Sequence, residues 1–139
     1  MKHIHYILDE DGTPVPEPDL LAWAMWLETH KDDRRVAKYE RDGYCVSTIF
    51  LGLDHRFGRS GPPLLYETML FDDNHHHEWP DGTIKETSLG HEMDDGCERY
   101  STRDDAMIGH ERFVRRLNAL LDQHSPKALL SQLSLPKPE

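Results

Sequence analysis

The chain has 139 residues, of which 37% are apolar and 30% charged, and its net charge is −10 at neutral pH. This length corresponds to about one domain, and no apolar run approaches the ~18 residues of a membrane span, so no transmembrane segment is expected. The acidic balance also argues against a general nucleic-acid binder, because such proteins neutralise phosphates with Lys and Arg. Cys45 and Cys97 are too few for a disulfide framework, and the N-terminus lacks a signal-peptide core, so we expect a cytoplasmic protein.

The first elements lie within residues 1–35. Alternating apolar residues predict a strand at His3–Leu8, and the Gly and Pro residues of Asp9–Pro18 indicate turns. Asp19 is placed to cap a helix over Leu20–His30. The helix carries an expected apolar stripe at 3–4 spacing, consisting of Leu20, Trp23, Ala24 and Leu27.

A β region follows. The pattern predicts strands at Arg35–Arg41 and Tyr44–Leu51, joined by a hairpin turn at Asp42-Gly43, and a further strand at Leu64–Phe71. Both long strands carry apolar residues on both faces, which favours the middle of a sheet with a helix over at least one face. Short connections between successive strands predict an antiparallel meander.

The C-terminal half begins with a long polar loop over residues 72–96, followed by a short edge strand at Cys97–Tyr100. A helix is predicted over Asp104–Gln123, and its apolar face contains Ala106, His110, Phe113, Leu117 and Leu120. The predicted fold is therefore α+β, with a small antiparallel sheet of three to four strands packed by two helices. Residues 1–123 are expected to form a single domain, and residues 124–139 a C-terminal tail.

Most of the negative charge lies in one stretch. Residues 72–111 hold 12 acidic and 3 basic side chains, whereas residues 112–139 have a net charge of +3. An acidic segment of this kind either keeps a protein soluble or steers it toward a basic surface. The residues expected to contact a basic partner are Asp72, Asp73, Glu78, Asp81, Glu92, Asp94 and Asp95.

Four residues are candidates for an acid–base or metal pocket. Asp54 and His55 directly follow a strong strand, and Asp54 is placed to set the tautomer of His55, although both side chains could simply bind the loop backbone. Glu67 shares a strand face with apolar residues, where it needs a partner such as Arg35 or Arg41, or takes up a proton. His110 lies on the apolar face of the C-terminal helix, where a histidine is usually bonded to a backbone carbonyl.

The run His75-His76-His77 is the other anomaly. Imidazoles bind Zn, Ni and Cu, which makes His75 and His77 candidate ligands, but consecutive side chains in an extended loop point alternately and cannot all face one ion. Adventitious metal uptake or a solvated loop is the simpler interpretation. No cofactor is predicted, and a divalent metal is the alternative.

Four segments in the middle of the chain resemble a family of small proteins of uncharacterised function encoded by tailed phages and prophages. The resemblance covers roughly residues 34–114 and rests on Val46–His55, Pro62–Phe71, Arg99–Thr102 and Gly109-His110, in that order. It implies a phage product acting in the cytoplasm of the bacterial host, and it carries over no catalytic role. The loop at 72–96 is longer, more acidic and richer in His than the family's loop, so any role it has is particular to this protein.

Two functions are argued from these observations, and a minor virion component is a third alternative. The first is a non-catalytic protein that binds a host or phage protein with a basic surface and inhibits or modulates a defence or nucleic-acid-processing complex. The second is a small metal-dependent or acid–base enzyme that uses His55, Glu67 and His110. The absence of nucleotide-binding, zincin and hydrolase motifs favours the first. The leucines of Lys127–Leu135 are a candidate homodimer or partner contact.

Overall fold

A computed structural model of the chain describes residues 3–72 and 96–124. The predicted loop at 72–96 lies outside the described residues except at its two ends, and so does the predicted tail from residue 125 onward. The elements in chain order are β1 (Tyr6–Leu8), β2 (Pro14–Pro16), α1 (Leu20–Thr29), α2 (Lys31–Arg34), β3 (Arg35–Arg41), β4 (Tyr44–Phe50), β5 (Tyr66–Asp72), β6 (Cys97–Tyr100) and α3 (Arg103–His124).

The main sheet has four antiparallel strands in the order β3-β4-β5-β6, so the predicted meander is confirmed. Asp42 and Gly43 both have positive φ, 52° and 82°, as a two-residue hairpin turn between twisted strands requires. The register pairs Thr48 with Thr68 and Glu67 with Arg99. Because side chains alternate along a strand, Glu67 and Thr68 lie on opposite faces of this sheet.

Helix α3 packs across one face of the sheet and contacts all four of its strands. The five positions predicted as its apolar face are all buried, with exposures of 4% or less. One core cluster joins Val46 to Phe113, Leu117 and Leu120, and a second surrounds Phe50 and Tyr66. Each fully buried large apolar side chain contributes about 1.5–3 kcal/mol, so this face fixes the helix on the sheet.

The N-terminal segment differs from the prediction. Pro14–Pro16, expected as turn, forms strand β2 and pairs with β1. Backbone hydrogen bonds join Glu17 N to His5 O and Asp9 N to Thr13 O, so the odd-numbered residues of β2 face β1. The nitrogens of Pro14 and Pro16 therefore point away from the ladder, and no hydrogen bond between the strands is lost.

Helix α1 begins as predicted. The Asp19 carboxylate accepts hydrogen bonds from Leu21 N at 3.0 Å and Ala22 N at 3.3 Å. The predicted apolar stripe is wrong in part, because Leu20 is 60% exposed and Ala24 is also exposed. The inward face instead contains Trp23, Trp26 and Leu27, because Trp26 packs on the second core cluster.

Gly52 joins the N-terminal elements to the main sheet. Its carbonyl accepts hydrogen bonds from Tyr6 N and from Trp23 Nε1, both at 2.8 Å. Gly52 has a φ of +75°, and a Cβ atom there would lie 2.8 Å from Leu27 Cδ2. The positive φ favours glycine at this position, because any side chain would strain the backbone, and a Cβ atom would also displace the end of the Leu27 side chain. Among residues 3–72 and 96–124, no helix is both long and apolar enough to cross a membrane.

Candidate functional site

Asp54 organises the loop that follows β4. Its Oδ1 accepts hydrogen bonds from Arg56 N and Leu64 N, both at 3.0 Å, and its Oδ2 accepts one from Arg56 Nε at 2.7 Å. The side chain is only 6% exposed. Burial acts to raise the pKa of Asp54, but the hydrogen bonds and the charge of Arg56 outweigh it, so the pKa lies below its usual value. Asp54 is a structural carboxylate held in its ionised form.

His55 is bound to the same loop, but not by Asp54. Its Nδ1 lies 2.7 Å from the carbonyl oxygen of Leu53, which can only accept, so Nδ1 carries the proton. The prediction that Asp54 sets this tautomer is therefore wrong, since the Asp54 carboxylate is directed at Arg56 and Leu64. Asp54 and His55 both hydrogen-bond the backbone of their own loop, which is the alternative interpretation given above.

Glu67 lies on the sheet face opposite α3 and is 8% exposed. Its Oε2 accepts a hydrogen bond from Arg99 Nε at 2.8 Å and lies 3.5 Å from Cys97 Sγ. The expected partners Arg35 and Arg41 on β3 are replaced by Arg99 because β6, not β3, is the neighbour of β5. Burial raises the pKa of the Cys97 thiol, and the Glu67 carboxylate raises it further.

His110 forms part of a buried polar chain inside the core. Its Nδ1 lies 2.8 Å from Thr48 Oγ1, which lies 2.6 Å from Thr68 Oγ1. The partner is a hydroxyl group instead of the backbone carbonyl expected for a core histidine. Burial lowers the pKa of His110, with the charge of Glu111 acting weakly in the opposite direction. The imidazole is therefore held neutral.

The four predicted pocket residues do not come together. His110 contacts Thr48 and the α3 side of the sheet, whereas Glu67 lies on the other side. Asp54 and His55 lie beyond the end of β4 and are engaged with their own loop. We find no single pocket lined by these residues in the described structure.

A different place in the structure has the shape of a binding site. A cleft of about 700 Å³ lies where the β1–β2 turn, α1, α2 and the first residue of α3 meet. Four exposed carboxylates and one guanidinium surround it, which gives the rim a formal charge of −3. The lining residues are Leu8, Asp9, Glu10, Asp11, Gly12, Trp26, His30, Asp33 and Arg103.

The inner wall of the cleft is aromatic. Trp26 and His30 are stacked, with ring centroids 4.7 Å apart and planes inclined by 11°. Trp26 also meets Phe50 edge to face at 5.9 Å, which holds the indole against the core. His30 Nδ1 lies 2.9 Å from the Trp26 carbonyl oxygen, so the imidazole is fixed in this stacked position.

The acidic rim is also held in place. Asp9 Oδ1 accepts hydrogen bonds from Asp11 N and Thr13 N, both at 2.9 Å, which fixes the β1–β2 turn. Arg103, the first residue of α3, also lines the cleft. The nearby Tyr66 hydroxyl is buried and has no hydrogen-bond partner in the part of the chain that the structure describes; burial raises the pKa of Tyr66 and the charge of Arg103 opposes that shift.

The chain matches no protein-family model, no curated protein and no solved structure. The phage-family resemblance therefore stays a prediction. A cleft that combines carboxylates with an aromatic wall is suited to an organic cation, because carboxylates hydrogen-bond guanidinium and ammonium groups and aromatic faces attract them.

The cleft was not predicted from sequence. Its carboxylates come from a turn and a short helix whose sequences are typical of solvent-exposed segments. These carboxylates become neighbours only through the packing of β1, α1 and α3. The one local signal was the cluster Asp9-Glu10-Asp11 at a turn. Most of the acidic residues expected to bind a partner, and both candidate metal ligands His75 and His77, lie outside the described residues. Within the described ranges, no group of three or more His, Cys, Asp or Glu side chains is arranged to hold a metal ion.

Proposed function

We propose that this chain is a non-catalytic protein-binding module that captures a Lys- or Arg-containing segment of a partner protein in the cleft. The observation that carries the proposal is the cleft itself, where four carboxylates and one guanidinium surround the stacked pair of Trp26 and His30. Charge-assisted hydrogen bonds to carboxylates are among the strongest in proteins, and they select for cationic side chains.

The geometry suits capture without large rearrangement. The Asp9 carboxylate fixes the turn that carries Glu10 and Asp11, and Phe50 supports the indole of Trp26 from the core side. A binding surface that is held in place before the partner arrives loses less conformational entropy on association. Among the described residues that line the cleft, none is a Ser, Thr or Cys.

The wider charge distribution supports the same kind of partner. The net charge of −9 over residues 72–111 increases the rate of encounter with a basic surface, most strongly at low salt. On this proposal the protein is phage- or prophage-encoded and acts in the bacterial cytoplasm, where it modulates a defence or nucleic-acid-processing complex through a basic surface of that complex. The support for this origin is the sequence resemblance over residues 34–114.

The test uses a fluorescently labelled peptide of alternating Arg and Ser, with alternating Glu and Ser as its control. Fluorescence anisotropy is measured with the full chain and with two variants that make the same change in net charge. Asp33→Asn removes a carboxylate of the cleft, whereas Asp32→Asn removes its exposed neighbour, which does not line the cleft.

We expect the Arg peptide to bind, with an affinity that falls as salt rises from about 50 mM to about 200 mM. Asp33→Asn is expected to weaken binding about fivefold, and Asp32→Asn less than about twofold. Equal effects of the two substitutions would show that only the net charge attracts the peptide, and would overturn the assignment of the cleft. Binding of the Glu peptide with similar affinity would do the same.

A further inference from the structure

Phe57 is presented to solvent in an unusual backbone conformation. Its side chain is 74% exposed, and its φ is +51°, in the left-handed region that favours Gly, Asn and Asp. A glycine at this position would relieve the backbone strain of the positive φ and would remove an exposed phenyl ring. Phe57 therefore opposes the stability of the fold in two ways, and such residues persist only where the surrounding structure holds them in place.

The surrounding loop does hold it. The buried Asp54 carboxylate binds Arg56 through both its backbone N and its Nε, and the Arg56 guanidinium also donates to the carbonyl of Gly61. On the other side of the loop, the His55 ring meets Phe57 edge to face, with centroids 5.4 Å apart. The phenyl ring is thus carried on a fixed loop, ready for contact.

A cavity of about 270 Å³ opens beside this ring. Its apolar walls come from Ile4, Leu53 and Phe57, and Ile4 is itself 50% exposed. Pockets for drug-sized molecules usually have volumes of ~300–1,000 Å³, so a cavity of this size suits a single large side chain. Phe57 and the cavity together form a projection and a recess, as buried anchors at protein interfaces do.

The charge at this place is opposite to that of the protein as a whole. Arg56 and Arg59 both line the cavity, and the only acidic residue among its described lining residues, Asp54, is 6% exposed and bonded to Arg56. Arg59 is exposed, and of its three guanidinium nitrogens only Nε has a hydrogen-bond partner within the described structure, the Arg56 carbonyl at 3.2 Å. Its terminal nitrogens are therefore positioned to meet a carboxylate that approaches the cavity.

We infer that Phe57 and the adjoining cavity form a second docking surface, which receives an aromatic or large aliphatic side chain flanked by carboxylates on a partner protein. The acidic cleft does not carry this inference, because the two sites have no lining residue in common and require ligands of opposite charge. Ile4 and Leu8 lie at the two ends of the same N-terminal segment, about 13 Å apart if extended, so one partner could contact both sites.

The test is an NMR titration of the full chain with the peptide Glu-Asp-Phe-Asp-Glu, with Glu-Asp-Gly-Asp-Glu as control. We expect the Phe peptide to shift the backbone amide signals of Ile4, Leu53 and Arg59, and the Gly peptide to leave them unchanged. Phe57→Gly should reduce the affinity at least about tenfold while raising the melting temperature, because it removes the ring and relieves the backbone. Phe71→Ala removes a different phenyl group, 46% exposed on β5, and should leave the affinity unchanged.

A second pair of variants tests the charge. Arg59→Gln should weaken binding about fivefold, and Arg35→Gln, at an exposed arginine on β3, should have little effect. Equal binding of the two peptides, or undiminished binding by Phe57→Gly, would overturn the proposal. Dimerisation of the chain that Phe57→Gly abolishes would also overturn it, since the occupant would then be a second copy. None of these outcomes bears on the cleft, which is tested with a cationic peptide.

Discussion

Thr48 Oγ1 lies 2.8 Å from Nδ1 of His110, and this contact is buried between the sheet and α3. The pair lies between the two apolar clusters of the core, and Thr68 extends it to the next strand. A neutral imidazole satisfies this arrangement, and the lowered pKa of His110 keeps it neutral. The core therefore contains a group whose protonation opposes folding.

Stability should consequently depend on pH through His110. The unfolded chain has the ordinary histidine pKa of 6.5 and the folded chain a lower one, so between these values the unfolded chain binds more protons. The stability that depends on neutral His110 is fully present above pH 6.5 and is lost as pH falls from 6.5 toward the folded pKa. Over this range the free energy of unfolding changes by at most about 1.4 kcal/mol per pH unit. Urea unfolding from about pH 5 to about pH 8 measures it. His110→Gln should reduce the pH dependence of the free energy of unfolding, whereas the control His55→Gln should retain it. The same pH dependence in His110→Gln and the unmodified chain would contradict the prediction.

Gly109→Ala should destabilise the protein, although alanine normally favours a helix over glycine by about 1 kcal/mol. A Cβ atom at Gly109 would lie 2.0 Å from the hydroxyl oxygen of Tyr100 and 2.2 Å from its Cζ, closer than atoms can approach. We expect a loss of about 3 kcal/mol in the free energy of unfolding, measured by urea titration. In the double variant with Tyr100→Ala, the two losses should be much less than additive. A Gly109→Ala chain that is more stable than the original would show that Tyr100 does not pack on this turn of α3.

Tyr66→Phe should leave stability unchanged or raise it by about 1 kcal/mol. Among the described residues its buried hydroxyl group has no hydrogen-bond partner, so its removal loses no bond and relieves a desolvated polar group. Tyr39→Phe is the matched control, because the Tyr39 hydroxyl donates to Asn118 Oδ1 at 2.8 Å and its loss should cost about 1 kcal/mol. Thermal unfolding of the two variants compares them, and a substantial loss in Tyr66→Phe would indicate that its hydroxyl has a partner.

Cys97 should react slowly with iodoacetamide in the folded protein. Its pKa is raised first by burial and then by the Glu67 carboxylate, which leaves less of the reactive thiolate at pH 8. Alkylation followed by mass spectrometry should be about tenfold slower than in urea. Glu67→Gln should shift the pH dependence of the rate to lower pH, whereas Glu40→Gln on β3 should not. An unchanged profile in Glu67→Gln would mean that the carboxylate does not act on the thiol.

Local sequence patterns predicted most of the fold. The hairpin turn at Asp42-Gly43 requires positive φ at both positions, which Asp and Gly can adopt. The 3–4 spacing in α3 identified five positions that are all buried. The exception at Pro14–Pro16 has a physical cause. Proline is unfavourable in a strand only where its missing N–H is needed, and this depends on the register with β1, which the local sequence does not reveal.

The site was much less predictable. Glu67 was recognised as a carboxylate in need of a partner, but the choice of Arg99 depends on which strand lies beside β5. The cleft depends on the meeting of a turn, two helices and the start of a third, from residues up to 95 positions apart in the chain. Hydrophobic periodicity shows which face of an element is buried, but it does not show which surface residues become neighbours.

The prolines of β2 have a consequence for how other chains can approach. Because Pro14 and Pro16 turn their nitrogens outward, the outer edge of the β1–β2 pair presents carbonyl oxygens but no N–H groups at these positions. An added strand needs both donors and acceptors, so the pair cannot serve as a template for strand addition or fibril growth along that edge. On the proposal that a partner segment binds the cleft, pairing of its backbone along this edge is not available to it, so we expect the charge and shape of its side chains to determine specificity.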